Sequence, residues 1–515
     1  MNARGLRLLV AAALLSLVIV TTATAASFTT GALVQVSGTS PFAGCTADVL
    51  AGQSGTNFAH SEVEPWIDVD PTDADNLVGI FQQDRWSNGG ARGLVARFST
   101  NGGATWTESV IPGVTACSGG FYQRATDPWV SFSPNGVVHQ LALSFNDVAS
   151  PFNEFDFDHA LLASRSLNGG QTWSAPIVVR RDTAPSVFND KQTITADPTD
   201  EDLVYAIWDR LEFPPSERAS IVGSFNAGAF RGPAWFARST DGGSSWEPAR
   251  EIYDPGTIKQ TIGNQIVVLP DGELVDIFNL IKITKGALPT GAFYNVAVIR
   301  SEDKGVTWGP QARGSGKVHP IVIDRLGTVF TRDPDTGDDV RTGDIIPEIA
   351  VDPDNGNLYA VWQDARFSGG AFDSIAFSMS TDGGFTWTPA IKVNGTPTVI
   401  PAGNQQAFTP SVHVSDDGTV GVTYYDFRNN TTDETTLPTD YWIAHCHAGC
   451  ASASGWGSEA RLTDDSFDMR KAPDAGGFFT GDYEGLTAVG DDFGAFFSAT
   501  HGTDPASVFY RTAGP

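Results

Sequence analysis

Ser380-Thr-Asp382-Gly-Gly384-Phe-Thr-Trp387 is the stretch that decides the fold, because its frame recurs along the chain. Ser-x-Asp/Asn-x-Gly-x-x-Trp also occupies residues 99–106, 166–173, 239–246 and 301–308. Each fixed position has a physical task in a tight turn between two strands. The Ser hydroxyl and the Asp or Asn carbonyl oxygen can bond backbone N–H groups inside the turn. Gly103, Gly170, Gly243, Gly305 and Gly384 can take the positive φ that such a turn requires. The Trp then opens the next strand, with its ring folded under the turn. Repetition of this frame predicts a repeat architecture.

A second element precedes each turn. Pro65-Trp-Ile-Asp-Val-Asp70-Pro leads into residues 76–81, and Pro347-Glu-Ile-Ala-Val-Asp352-Pro into 357–362. Units of this kind start near residues 64, 127, 190, 263, 346, 409 and 482. Each has a short β-branched strand, a turn rich in Asp, Pro and Gly, a second strand and a third. Unit six replaces the Ser-x-Asp turn with the loop from Cys446 to Cys450, and unit seven stops after its third strand, at Arg511. Ala32-Leu-Val-Gln-Val36 is placed to supply the missing strand from the other end of the chain. The expected fold is all-β: a single β-propeller of four-stranded blades over residues 26–515, closed by an N-terminal strand. Seven blades are expected, with six as the alternative.

The repeated frame resembles the Asp-box (BNR) repeat of sialidases and related β-propellers. Asp241, Asp303 and Asp382 match that repeat in full, and Asn101 and Asn168 are its usual variant. The resemblance covers most of the chain. It implies that the turn joins the two outer strands of a blade, on the face away from the ligand site. It therefore speaks to fold more than to function.

Composition sets the bounds. Arg4 and Arg7, the apolar run 8–20 and Ala23-Thr-Ala25 read as a secretory signal at 1–25, cleaved on export. The run is too short for a comfortable membrane span, so no membrane insertion is expected after cleavage. A net charge of −28 makes nucleic acid and anionic membranes poor partners. The expected state is a secreted monomer whose partner is a glycan. His445-Cys-His447-Ala-Gly-Cys450 admits a metal site or a local disulfide. In an exported chain the disulfide is expected, and Cys45 then pairs with Cys117 by elimination. No cofactor is expected; Ca²⁺ is the one ion considered, in the acidic ring of Glu64, Asp127 and Asp482.

Loops from every blade of a propeller converge on one face, so chemistry is sought there. Asp followed closely by Arg recurs in Asp84-Arg85-Trp86, Asp209-Arg210, Asp364-Ala-Arg366 and Asp426-Phe-Arg428. One reading makes each pair a tie between blades, since a structural device repeats while a catalytic site does not. The other follows from the resemblance: sialidases hold a substrate carboxylate with planar guanidinium groups and use a Tyr nucleophile, a Glu partner and an Asp acid. On that reading Arg85, Arg124, Arg210, Arg366, Arg428 and Trp86 bind substrate. Tyr483 and Glu484 form the Tyr/Glu pair, and Asp127 or Asp190 is the acid. Where sialidases carry Tyr/Phe-Arg-Ile-Pro, this chain has Ser61-Glu-Val-Glu-Pro65, so that family Arg has no counterpart. The functional expectation is a sialidase-like glycoside hydrolase of the exo-sialidase type. The alternative is a non-catalytic propeller that binds a glycan or a protein.

Overall fold

A computed structural model describes residues 28–49, 55–146, 158–184, 186–213, 230–283, 292–311 and 316–515. The expected signal, 1–25, lies outside them. The described residues form strands and short 3-10 turns, with no α-helix among them. No helix there is long and apolar enough to cross a membrane.

Consecutive strands pair antiparallel in four-stranded units. Unit one runs Glu62–Asp70, Asp73–Arg85, Ala91–Thr100 and Thr107–Val110. The same meander begins again at Arg124–Phe132, Val187–Ala196, Lys259–Val268, Glu348–Val351 and Ala407–Val414. The last unit holds Gly485–Val489, Asp492–His501 and Asp504–Gly514. Its outer strand comes from the chain start: Val34 and Gln35 pair with Tyr510 and Phe509, and Thr29 and Thr30 with Gly514 and Ala513. First strands of successive units are neighbours all the way round, and Gly485–Val489 returns to Glu62–Asp70. The chain is a β-propeller.

Cohesion comes from side chains pressed between adjacent sheets. Leu94 and Ala96 of unit one share a buried cluster with Val130 and Leu162 of unit two. Tyr205 and Phe236 of unit three share another with Phe278 and Ile299 of unit four. Apolar residues on both faces of each sheet follow from this packing, as in any face-to-face sheet stack.

The five Ser-x-Asp/Asn turns share one hydrogen-bond scheme. In the last, Gly384 N donates to Ser380 Oγ at 2.8 Å and Thr386 N donates to Asp382 Oδ1 at 2.9 Å. Gly103 and Thr105 repeat these bonds to Ser99 and Asn101, each at 2.9 Å. Gly103 has φ 85°, and a Cβ there would meet the Tyr510 ring at 2.0 Å, so glycine is required twice over. These turns follow the third strand, so they lie on the face where first strands end.

At the other end, first strands carry a β-bulge. The register slips between Val63 and Trp66, Thr126 and Trp129, Asp190 and Thr193, Ile262 and Gln265, and Phe408 and Ser411. The slipped residues Glu64, Asp127, Lys191 and Thr409 have φ of 52°, 48°, 48° and 48°. Pro65, Pro128 and Pro410 follow three of them; a residue without an N–H fits where the ladder is already broken. Left-handed backbone at non-glycine residues costs of order 1–3 kcal/mol each and survives only where its surroundings hold it.

Both expected disulfides are present, Cys45–Cys117 and Cys446–Cys450.

Candidate functional site

In units one to three the bulge turns a charged side chain toward the ring axis. Lys191 Nζ donates to Asp127 Oδ1 at 2.7 Å, Asp482 Oδ2 at 2.7 Å and Glu64 Oε1 at 3.2 Å. Asp482 lies just before the first strand of unit seven, so the cluster draws on units one, two, three and seven. Arg341 Nη2 donates to Asp482 Oδ2 at 2.7 Å and its Nε to Oδ1 at 3.2 Å. The three carboxylates do converge, but on the Lys191 ammonium. A side-chain cation thus stands where Ca²⁺ was expected.

Arg85 completes the cluster. It is 3% exposed, and its Nη1 donates to Gln82 Oε1 at 2.7 Å. Gln82 Nε2 in turn donates to Glu64 Oε2 and, at 3.0 Å, to Thr126 Oγ1. Arg85 Nε is buried with no hydrogen-bond partner, and among the described residues Arg85 has no salt bridge. Its guanidinium lies 5.1 Å from the centre of the Phe479 ring, with that of Arg341 at 4.4 Å. Burial lowers the Arg85 guanidinium from its ordinary value, and Glu64, then Asp127 and Asp482, oppose that from beyond salt-bridge distance.

The cluster drives its acids apart. Burial raises Glu64 to about 7, against the pull of Lys191. Burial also raises Asp127. Burial would raise Asp482 too, but Arg341 and Lys191 outweigh it and hold this carboxyl well below the usual range. Burial would lower Lys191, yet Asp127, Asp482 and Glu64 keep it well above its ordinary value. Near neutral pH the site thus holds one carboxyl ready to give a proton and one fixed as an anion, the division of labour that acid–base catalysis uses. Beneath it Lys191, Trp129, Tyr483 and Glu348 line a cavity of about 20 Å³, room for about one water.

The other expected site residues are scattered. Arg366 pairs with Asp324 at 2.6 Å and Asp364 at 2.8 Å. Arg428 pairs with Asp426 at 2.6 Å and with Glu459. Arg210 pairs with Asp182 and stacks 4.6 Å from the Trp235 ring. Asp209 instead accepts from Gly263 N at 2.8 Å and Thr261 Oγ1 at 3.0 Å, joining units three and four. Arg124 is fully buried, donating to Asn88 Oδ1 at 2.8 Å and Gly89 O at 2.7 Å over the Trp86 ring. Trp86 is itself buried, its Nε1 donating to Asp48 at 2.8 Å, so it offers no exposed platform. Asp190 is buried next to Lys191, opposite Asp209 in the ladder.

Tyr483 and Glu484 do not meet. The Tyr483 hydroxyl donates to Pro128 O at 3.3 Å, and its ring packs edge-on 5.3 Å from Trp129, which stacks on Trp66. Glu484 accepts from Ser498 N at 3.0 Å on the far side. Adjacent residues of an extended chain point opposite ways, and that separates the pair. Burial, then the charges of Glu64 and Asp127, push the Tyr483 phenol well above its ordinary value, so it is a poor nucleophile. Sequence reasoning passed over Arg341, which sits outside the repeat on the segment before unit five, and Gln82, hidden in a second strand.

No family model matches the chain, and no curated protein matches it. Solved structures do. A Hadza microbial sialidase is 16% identical with a TM-score of 0.46, over 83% of this chain and 75% of that one. An α-L-arabinanase from Penicillium chrysogenum is 12% identical, TM-score 0.45, over 77% and 94%. A protein of unknown function from Dyadobacter fermentans is 12% identical, TM-score 0.45, over 90% and 100%. Sialidases and arabinanases are thus among the structures this chain is similar to. Likeness at this level decides nothing about its reaction.

Proposed function

We propose that the chain is an exported glycoside hydrolase that acts on an acidic sugar at the axial cluster. The observation that carries this reading is Arg85, a buried guanidinium with no salt bridge among the described residues and an unpaired Nε, beside three axial carboxylates. Arg85 receives the sugar carboxylate. Glu64, protonated near neutral pH, gives its proton to the leaving oxygen. Asp482, kept ionised by Arg341 and Lys191, faces the positive charge that develops on the sugar ring; water then adds to the anomeric carbon and returns its proton to Glu64. Glu64 Oε1 and Asp482 Oδ2 lie 3.2 Å and 2.7 Å from one Nζ, hence at most about 5.9 Å apart, which is compatible with the ~5–5.5 Å of a retaining pair. This keeps the glycosidase class and the acidic substrate of the sialidase-like reading. It moves the chemistry from Tyr483 and Glu484 to Glu64 and Asp482.

A second reading has its own support. Arg210, Arg366 and Arg428 are already paired, as expected of a binding propeller whose charges tie blades together.

The test compares methylumbelliferyl glycosides of sialic acid and glucuronic acid with their methyl esters, using wild type and Arg85→Ala. The wild type should prefer an acid to its ester by about tenfold or more, and the variant should lose that preference. Equal turnover of acid and ester by the wild type contradicts the role of Arg85. No turnover of any glycoside favours the binding propeller.

A further inference from the structure

The segment that carries Arg341 travels from the rim of the ring to its axis. It leaves the outer strand Ile321–Leu326 of unit four and ends at the inner strand Glu348–Val351 of unit five. Near its inner end Arg341 holds Asp482. Two hollows follow this path. At the rim a groove of about 610 Å³ is lined by Tyr294, Arg325, Thr328, Val329, Asp364 and Arg366. Toward the axis a cleft of about 120 Å³ is lined by Thr331, Arg332, Arg341, Thr342 and Asp344. Residues 328–332 wall the two in succession.

Both hollows open on the face of the axial cluster. Tyr294 stands near the start of a third strand, Leu326 ends a fourth and Asp364 ends a second, all level with the starts of the first strands. The rim groove falls within the ~300–1,000 Å³ of ligand pockets. Its polar groups are planar and held in place. Arg366 is fixed between Asp324 and Asp364, and the Arg325 guanidinium lies 5.0 Å from the centre of the Phe293 ring. Two rings stand beside the groove, not in its lining: Phe293, against Arg325, is 44% exposed and Phe367, next to Arg366 in sequence, 36%. Fixed planar donors match the hydroxyl edges of sugars, and exposed rings match their apolar faces.

We propose that this rim-to-axis groove is a row of sugar subsites, so that the chain takes an oligosaccharide. Its reacting end sits at the axis and its further units lie along Arg366, Arg325 and Phe293. The inference rests on the glycosidase reading of the axial cluster. It adds that affinity is gained along the chain of the substrate and not at the terminal sugar alone.

The test uses the whole protein on immobilised galacturonic acid oligomers of one to six units and sialic acid oligomers of one to four. Wild type is compared with Phe293→Ala/Arg325→Ala, whose replaced side chains lie at the surface, and with Arg85→Ala. Wild-type affinity for one series should rise by about tenfold or more from monomer to tetramer. The double variant should melt as the wild type does, bind the monomer equally and lose the rise. Arg85→Ala should lose the monomer as well. A flat response to length, or a rise that survives in the double variant, overturns the groove and leaves the axial reading standing. Failure of the wild type to bind any member overturns both.

Discussion

Two sets of ionic residues look alike in sequence and behave differently in the fold. Around the ring, Arg366 and Arg428 each meet the Asp two residues before them, and Asp209 ties its unit to the next. At the axis no such local pairing holds. Lys191 is shared by carboxylates from three other units, and Arg85 is left without one. The first set recurs because each junction poses the same mechanical problem. The second departs from the repeat: the bulge position is Glu64, Asp127 and Lys191 in three units but Thr409 in another. Same backbone, different charges. Repetition here marks what holds the ring together, and the break in repetition marks where it can act.

Removing Lys191 is the harshest way to probe that difference. Lys191→Met leaves three buried carboxylates facing one another and should destabilise the fold by about 3–5 kcal/mol at neutral pH. Part of the loss should return toward pH 5, as Glu64 and Asp127 take up protons. Urea unfolding at both pH values measures it, and a cost below about 1 kcal/mol would mean that the cluster is solvated like a surface pair.

The opposite face gives the mechanical contrast. Gly103→Ala places a Cβ against Tyr510 in left-handed backbone, at a cost of about 2–4 kcal/mol. Turnover per folded molecule should stay at the wild-type level, because this turn lies away from the axis. A fall in specific activity as large as the fall in stability would erase the distinction between the faces.

A smaller effect comes from the buried acids together. Burial raises Glu62, Asp344 and Glu348 to about 8 and Asp373 to about 7. The folded chain therefore keeps protons that the unfolded chain releases. The stability they contribute is full below the ordinary carboxylate range and is lost as pH rises through 7 to 8. The melting temperature should fall by several degrees between about pH 5.5 and pH 8.5. Asp482 titrates below this window and does not reverse the sign. A melting temperature that rises across it would place these carboxyls in contact with water or cations.

Much of the mechanical half was legible in the sequence. The Ser-x-Asp/Asn-x-Gly-x-x-Trp frame names every atom of its turn, because a local hydrogen-bond scheme needs only neighbouring residues. The closing strand was legible because unit seven lacked one. Glu64, Asp127 and Asp482 could be grouped as an acidic ring from their equivalent places in the repeat. Their partner could not. Lys191 meets them only because three bulges aim at one axis, and Arg341 arrives on a segment that follows no repeat. Tyr483 and Glu484 were neighbours in sequence, and the extended chain that joins them turns them apart.

The most direct test of the account is the pH–rate profile of Glu64→Gln beside the wild type, on the acidic methylumbelliferyl glycoside that the wild type turns over best. With Glu64 as the acid, wild-type turnover should fall as pH rises through about 7. The variant should lose about 100-fold or more in kcat while its fold and its substrate affinity persist. A variant as active as the wild type, or one whose profile keeps the same alkaline limb, would contradict it.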